Sequence, residues 1–134
     1  MRVALFALVL VAATSQPALT LSIEIRTFLV FFARGSSEIP DGFRSQMADA
    51  AEFARVTDAN HVFISGCIET AEANSLVNLS ERRVHAVGDA LVALGVDPAI
   101  ITTEGNESVF CEEYRDRGDP RLERRVVIGV NPRH

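Results

Sequence analysis

Two charged residues in the segment 66–84, GCIETAEANSLVNLSERRV, have types and a spacing that could form a small polar site. Glu69 follows a strand-like run, and Arg83 falls inside the apolar arc of a predicted helix. An arginine in such an arc must find a partner or bring its guanidinium head to water. Arg83 could hold a carboxylate through two parallel hydrogen bonds, while Glu69 holds an ammonium group. The pair therefore predicts a site for a zwitterion.

Structural roles for the same charges stay open at this point. Glu69 and Arg83 could form an internal ion pair, or Arg83 could extend along the helix to expose its head. On the helical wheel Arg82 and His85 point away from the apolar arc. The arc itself is formed by Leu76, Leu79, Val87, Ala90, Leu91 and Leu94.

The elements that must position these residues alternate between strands and helices. Branched and aromatic runs predict strands, and apolar residues that recur at three and four positions predict helices. The predicted strands are 27–33, 61–65, 100–103 and 124–130, the predicted helices are 41–56 and 75–94, and a polar connection spans 104–122. The order β-α-β-α-β-β predicts an α/β fold (an α+β sandwich) with one mixed sheet and both helices on one face.

Length, charge and the N-terminal residues predict a single exported domain. The 134 residues suffice for one domain, and the net charge of −5 without a basic stripe argues against nucleic acid and anionic membrane surfaces. Residues 1–15 combine a positive start with an apolar run, which predicts a signal peptide that ends after Ser15 or as late as residue 20. An uncleaved anchor is the alternative. No membrane span is expected in the mature chain.

The remaining reactive side chains predict a disulfide and no catalysis. In an exported chain, Cys67 and Cys111 form an even pair that predicts one bond, with two free thiols as the alternative. His61, His85 and His134 are too scattered to form a metal site with these cysteines. No nucleophile–base pair or catalytic motif is present, so the chain is expected to be neither an enzyme nor dependent on a cofactor.

Three segments together resemble a known family: GCIET after a strand, NLSERRVHAVGDALVALGV on a helix, and LERRVVI near the C-terminus. The resemblance is to the OmpA-like C-terminal domain, a periplasmic module that binds peptidoglycan, and it covers residues 27–131. Leu79 to Arg83 match the family's Leu-Ser-x-x-Arg. The resemblance implies that Arg83 grips a carboxylate of diaminopimelate in the stem peptide and that Glu69 takes the ammonium group. It also implies a role for Arg124, in the Arg-Arg of the last motif.

Several departures from the family pattern bear on binding. The family's Gly-His-Thr-Asp reads Gly-Cys-Ile-Glu here, so Glu69 carries its charge one methylene further out. The following loop is one residue shorter, and Leu76 replaces a loop asparagine for which Asn74 or Asn78 could substitute by a shift. Glu123 replaces the asparagine before Arg-Arg.

The main hypothesis is a module of the periplasm, associated with the cell wall or outer membrane, that binds peptidoglycan. The alternative is the same fold with an altered site that contacts other envelope proteins.

Overall fold

Four strands and three α-helices form the part of the chain that the computed structural model describes, which comprises residues 13–17, 24–69, 72, 78–105 and 119–133. The strands are β1 (Arg26–Phe31), β2 (His61–Gly66), β3 (Ile101–Glu104) and β4 (Arg125–Asn131), and the helices are α1 (Arg44–Val56), α2 (Leu79–Ala93) and α3 (Pro120–Glu123). Short 3-10 turns, Asp41–Phe43 and Pro98–Ile100, precede α1 and β3.

The strands form one mixed sheet in the order β1-β4-β2-β3. Strand β4 is antiparallel to both β1 and β2, whereas β2 and β3 are parallel. The register places Phe31 opposite Arg125, and Gly66 opposite Val126. The C-terminal ends of β1 and β2 therefore lie beside the start of β4, at the same end of the sheet. We call this end of the sheet the site end.

The hydrophobic core lies between one face of this sheet and helices α1 and α2. Helix α1 approaches the sheet through alanines and Met47, because small side chains let a helix pack closely. Helix α2 contributes larger branched residues. The buried core includes Val30, Met47, Ala50, Ala51, Ala54, Val62, Ile64, Val84, Val87, Leu91, Val126, Ile128 and Val130. The predicted mixed sheet, with helices on one face, is confirmed.

Some element boundaries differ from the prediction. Helix α2 begins at Leu79 rather than at residue 75, because Asn78 has a left-handed backbone (φ 60°) that an α-helix cannot include. Leu94 was placed in the apolar arc, yet it lies at the end of α2 and is half exposed. Helix α3 begins inside the predicted connection and ends one residue beyond it, and Asp119 accepts a hydrogen bond from the N–H of Arg121 and caps the turn.

Several predicted features lie outside the described residues. These are most of the signal peptide (1–12), Leu76, Cys111 and most of the polar connection (106–118). Residues 13–17 are exposed and have no regular structure. Along the described ranges, no helix is both long enough and apolar enough to span a bilayer.

Candidate functional site

A close approach between the end of β2 and the first turns of α2 sets the position of Arg83. A Cβ atom at Gly66 would lie 2.7 Å from both Ser80 Oγ and Val84 Cγ1, so only glycine fits at this contact. With α2 held against the strand end, Arg83 faces the interior and is 0% exposed. The expectation that Arg83 lies on the apolar side is confirmed, and its extension to solvent is ruled out.

The guanidinium group of Arg83 is held by a carboxylate and two backbone carbonyls. Nη1 and Nη2 donate to the two oxygens of Glu72 over 3.1 and 3.0 Å. Nε donates to the carbonyl of Ser36 (2.8 Å), and Nη2 also donates to that of Ala33 (3.1 Å). The guanidinium carbon lies 5.2 Å from the ring centroid of Phe32, within cation–π range. Arg83 is thus fixed in one orientation, in which its two Nη groups form a fork that binds one carboxylate.

Two backbone N–H groups also donate to that carboxylate. The N–H of Gly35 donates to Oε1 of Glu72 over 2.7 Å, and the N–H of Glu69 donates to Oε2 over 3.2 Å. Gly35 has a φ of 72°, a conformation that glycine adopts at no steric cost. We call the Arg83 guanidinium with these two N–H groups the carboxylate site. In this structure the site holds the carboxylate of Glu72, whose side chain is 1% exposed.

The pKa of Glu72 is lower than the ordinary glutamate value, although the residue is buried. Burial raises this pKa because it removes water from the charged form. The opposing hydrogen bonds from Arg83, Gly35 and Glu69, together with the positive charge of Arg83, outweigh burial and lower the pKa. Glu72 is therefore ionised at neutral pH, and the carboxylate site holds an anion.

Glu69 belongs to a second ion pair beside the first. Its Oε2 accepts a hydrogen bond from Nη1 of Arg124 over 3.0 Å and lies 3.8 Å from Nε of Arg34. Nε of Arg124 also donates to the carbonyl of Phe32 over 3.2 Å, which ties this arginine to the end of β1. The side chains of Glu69 and Arg124 are 11% and 15% exposed, so this pair reaches the surface.

The direct Glu69–Arg83 ion pair considered from the sequence is not formed. Arg83 pairs with Glu72, and Glu69 pairs with Arg124. The two pairs are nevertheless adjacent, because the backbone N–H of Glu69 donates to the carboxylate that Arg83 holds. The structure therefore brings Glu69, Arg83 and Arg124 together at the site end, through a residue that the sequence analysis did not single out.

The other predicted residues occupy different surroundings. Asn78 is exposed at the start of α2, and its side chain does not cap the helix. Arg125 is buried, and its carbonyl accepts a hydrogen bond from the N–H of Cys67 over 2.8 Å. Cys67 is 1% exposed at the end of β2. Its predicted bond to Cys111 stays a prediction, because Cys111 lies outside the described residues.

Sequence reasoning missed Glu72 because it lies between the predicted strand 61–65 and the predicted helix 75–94. Its acidic type, three positions after Glu69, was the one available signal. The carbonyls of Ala33 and Ser36 carry no signal of residue type, since every residue has one. Within the described ranges, no group of three or more His, Cys, Asp and Glu is placed to hold a metal ion. The chemistry available at the site end is the binding of a carboxylate beside a second acid.

Comparisons with known proteins identify similar sequences and folds. The model of the OmpA family matches residues 31–121. The OmpA-like domain of FopA1 from Francisella tularensis subsp. tularensis SCHU S4 is 22% identical, with a TM-score of 0.63 over 81% of this chain and 75% of that one. The peptidoglycan-associated lipoprotein from Burkholderia pseudomallei is 22% identical, with a TM-score of 0.62 over 78% and 90%. A search of curated protein sequences found no match.

A further solved structure is the cell wall anchor of the T6SS from Pseudomonas aeruginosa. It is 21% identical, with a TM-score of 0.62 over 82% of this chain and 87% of that one. At these identities the structural likeness establishes a shared fold.

Proposed function

Because the chain belongs to the OmpA family, whose members are non-enzymatic peptidoglycan-binding or structural domains, we propose that it binds peptidoglycan non-covalently. The ligand is the diaminopimelate of the stem peptide, which carries a carboxylate beside an ammonium group. The binding residues are Arg83 for the carboxylate and Glu69 for the ammonium group, with Arg124 and Asn78 as further contacts. The chain acts in the periplasm after removal of residues 1–15, at the cell wall or outer membrane.

The observation that carries this proposal is the geometry of the carboxylate site. Arg83 presents two parallel N–H donors, and Gly35 and Glu69 add one backbone N–H each. Such a set satisfies a carboxylate with four charge-assisted or backbone hydrogen bonds and excludes water from it. A ligand carboxylate in this position would lie beside the side chain of Glu69, as the binding of a zwitterion requires.

The neighbouring ion pair supports the assignment of Glu69 and Arg124. The Glu69 carboxylate is close to the surface, so an ammonium group can approach it without unfolding the core. Arg124 already neutralises this carboxylate over 3.0 Å. An incoming ammonium group therefore displaces Arg124 from the Glu69 carboxylate or shares that carboxylate with it. The displaced Arg124 is released towards a second ligand carboxylate. Asn78, exposed at the start of α2, offers an amide at the same end of the helix as Arg83.

A second candidate function is supported by the burial of Arg83. Its guanidinium group is 0% exposed and has protein partners for Nε, Nη1 and Nη2. In this candidate the ion pairs are purely structural, and the domain contacts other envelope proteins through its surface. In the first candidate, a substitution of Arg83 that preserves the fold weakens retention on peptidoglycan. In the second candidate, the same substitution leaves retention unchanged.

The test is retention of the mature chain, residues 16–134, on purified diaminopimelate-type sacculi. Arg83→Lys keeps a positive charge opposite Glu72 but loses the fork, and Glu69→Gln removes the charge that would hold ammonium. Each change is expected to weaken retention by about tenfold or more, the worth of one charge-assisted hydrogen bond. Glu52→Gln, in the exposed Glu52–Arg55 pair of α1, is the matched control and should be retained like the parent.

Circular dichroism of each variant shows whether the fold is intact. Equal retention of the folded parent and of both site variants would contradict the proposed site. Flow-through of the folded parent would favour the second candidate, and the search would then turn to protein partners.

A further inference from the structure

The carboxylate site is filled by a residue of the chain itself. Glu72 receives all four hydrogen bonds that the site offers, two from Arg83 and one each from the N–H groups of Gly35 and Glu69. Arg83 and Glu72 are both almost completely buried. No second carboxylate can reach the Arg83 fork while Glu72 occupies it.

We infer that Glu72 is an internal competitor, whose carboxylate occupies the place of the ligand carboxylate and must leave before peptidoglycan binds at Arg83. This inference rests on the proposed function and adds a regulation of the same site. The closed form, with Glu72 bound, and the open form, with Glu72 displaced, make up a two-state equilibrium that the ligand shifts towards the open form.

The exchange of one carboxylate for another keeps Arg83 paired. A buried guanidinium left without a counter-charge is strongly unfavourable, so the open form is scarce in the absence of ligand. The apparent affinity is then reduced by the fraction of molecules that are open. Weakening the contact of Glu72 with the site raises that fraction, and the affinity for an external carboxylate rises with it.

The first experiment compares the parent with Glu72→Gln for binding to diaminopimelate-type sacculi. Glutamine has almost the same shape but no charge, and its amide NH₂ cannot accept hydrogen bonds from Arg83 or a backbone N–H. Glu72→Gln is expected to bind about tenfold more tightly than the parent. Equal or weaker binding by the folded variant would overturn the inference.

A second experiment tests occupancy of the site without peptidoglycan. Glu72→Ala leaves a vacant site around Arg83, so its melting temperature should fall below that of the parent. Sodium acetate or free diaminopimelate, at constant ionic strength, should restore several degrees of that loss by supplying a carboxylate. Glu52→Ala removes a carboxylate from an exposed ion pair and is the matched control, with no specific response. An equal response in both variants, or none in either, would count against the inference.

The two experiments separate failure of the inference from failure of the proposed function. If the parent binds sacculi, Arg83→Lys does not, and Glu72→Gln binds no better than the parent, the proposed function stands and the inference fails. If the parent, Arg83→Lys and Glu72→Gln all flow through, the proposed function fails. In that case the acetate response of Glu72→Ala decides whether the site accepts an external carboxylate in place of Glu72. If Glu72→Ala does not fold without a carboxylate, its refolding is compared with and without acetate. Refolding only with acetate would show that the site accepts an external carboxylate.

Discussion

At the scale of single residues, the Arg83–Glu72 ion pair determines the properties of the site end. Removing two charges from water is costly, and their attraction compensates for that cost only when the remaining donors and acceptors are also satisfied. Here both oxygens of Glu72 and all three nitrogens of Arg83 have hydrogen-bond partners. Loss of either member would leave the other as an uncompensated buried charge.

Arg83→Met should therefore destabilise the domain severely. Methionine is similar in length but provides no charge for Glu72, so the free energy of unfolding is expected to fall by about 3–5 kcal/mol. Urea denaturation followed by circular dichroism measures this change. Arg55→Met, in an exposed pair with Glu52, is the control and should change stability little. Losses of similar size in both variants would contradict the structural role of the buried pair.

The pH dependence of stability should carry a contribution from Glu72. Its pKa is lowered in the folded state, so its ionisation stabilises the fold above the unfolded-state pKa, about 4.3 for glutamate. That contribution is lost as the pH falls from there through the lower folded-state pKa. The difference in unfolding free energy between the parent and Glu72→Gln should therefore shrink in acid. Urea titrations at several pH values between about 2.5 and 7 measure it, and a constant difference would refute this role.

At the scale of elements, the contact between β2 and α2 positions the site. Strand β2 ends at Gly66 against Ser80 and Val84 of the first turns of α2. Further along the helix, Gly88 would place a Cβ 3.6 Å from Ile64 Cδ1, which is ordinary contact. The tight approach is thus confined to the site end of the helix, next to Arg83.

Gly66→Ala should separate these two elements. The added methyl group would lie 2.7 Å from Ser80 Oγ and Val84 Cγ1, and it would also lie 3.0 Å from the backbone oxygen of Ser80. Overpacking of this kind is expected to cost about 1–3 kcal/mol of unfolding free energy. Gly42→Ala is the matched control, because no atom beyond its two chain neighbours lies within 4 Å of its Cβ position. Thermal unfolding of both variants tests the difference, and equal melting temperatures would rule it out.

Periodicity predicted the strands and the two long helices, but not every boundary. Helix α1 and the strands have enough apolar positions for the pattern to be recognised. The start of α2 depends on the left-handed backbone of Asn78, which the apolar arc does not reveal. Helix α3 has 4 residues, fewer than a periodic pattern requires. The pairing order of the strands was also not predicted. The alternation of apolar and polar residues shows which face of a strand is buried, but it does not show which strands are adjacent.

At the scale of the whole molecule, the site draws on segments that are distant in sequence. Arg83 lies on α2, its carbonyl partners Ala33 and Ser36 follow β1, and Arg124 precedes β4. The helical wheel could select Arg83 because burial of a charge is visible in the pattern. It could not select the partner, because Glu72 precedes the predicted helix, is not on the wheel, and reaches Arg83 only through tertiary packing.

The predicted disulfide would act at the scale of the whole molecule. A bond between Cys67 and Cys111 closes a long loop, and the chain-entropy model gives a stabilisation of about 4 kcal/mol. Protein prepared from the periplasm should show no thiol labelling in denaturant until a reductant is added. Cys67→Ser provides a control with a single thiol, which should label without reduction as a monomer. Complete labelling of the parent before reduction would show that the bond is absent.

The position of β4 in the sheet has a consequence for the order of events during synthesis. This strand is the last of the described chain, yet it lies between β1 and β2 and pairs with both. Until residues 125–131 have left the ribosome, the two earlier strands lack their shared neighbour, and the sheet cannot close. Closure of the sheet must therefore wait until β4 has been synthesised.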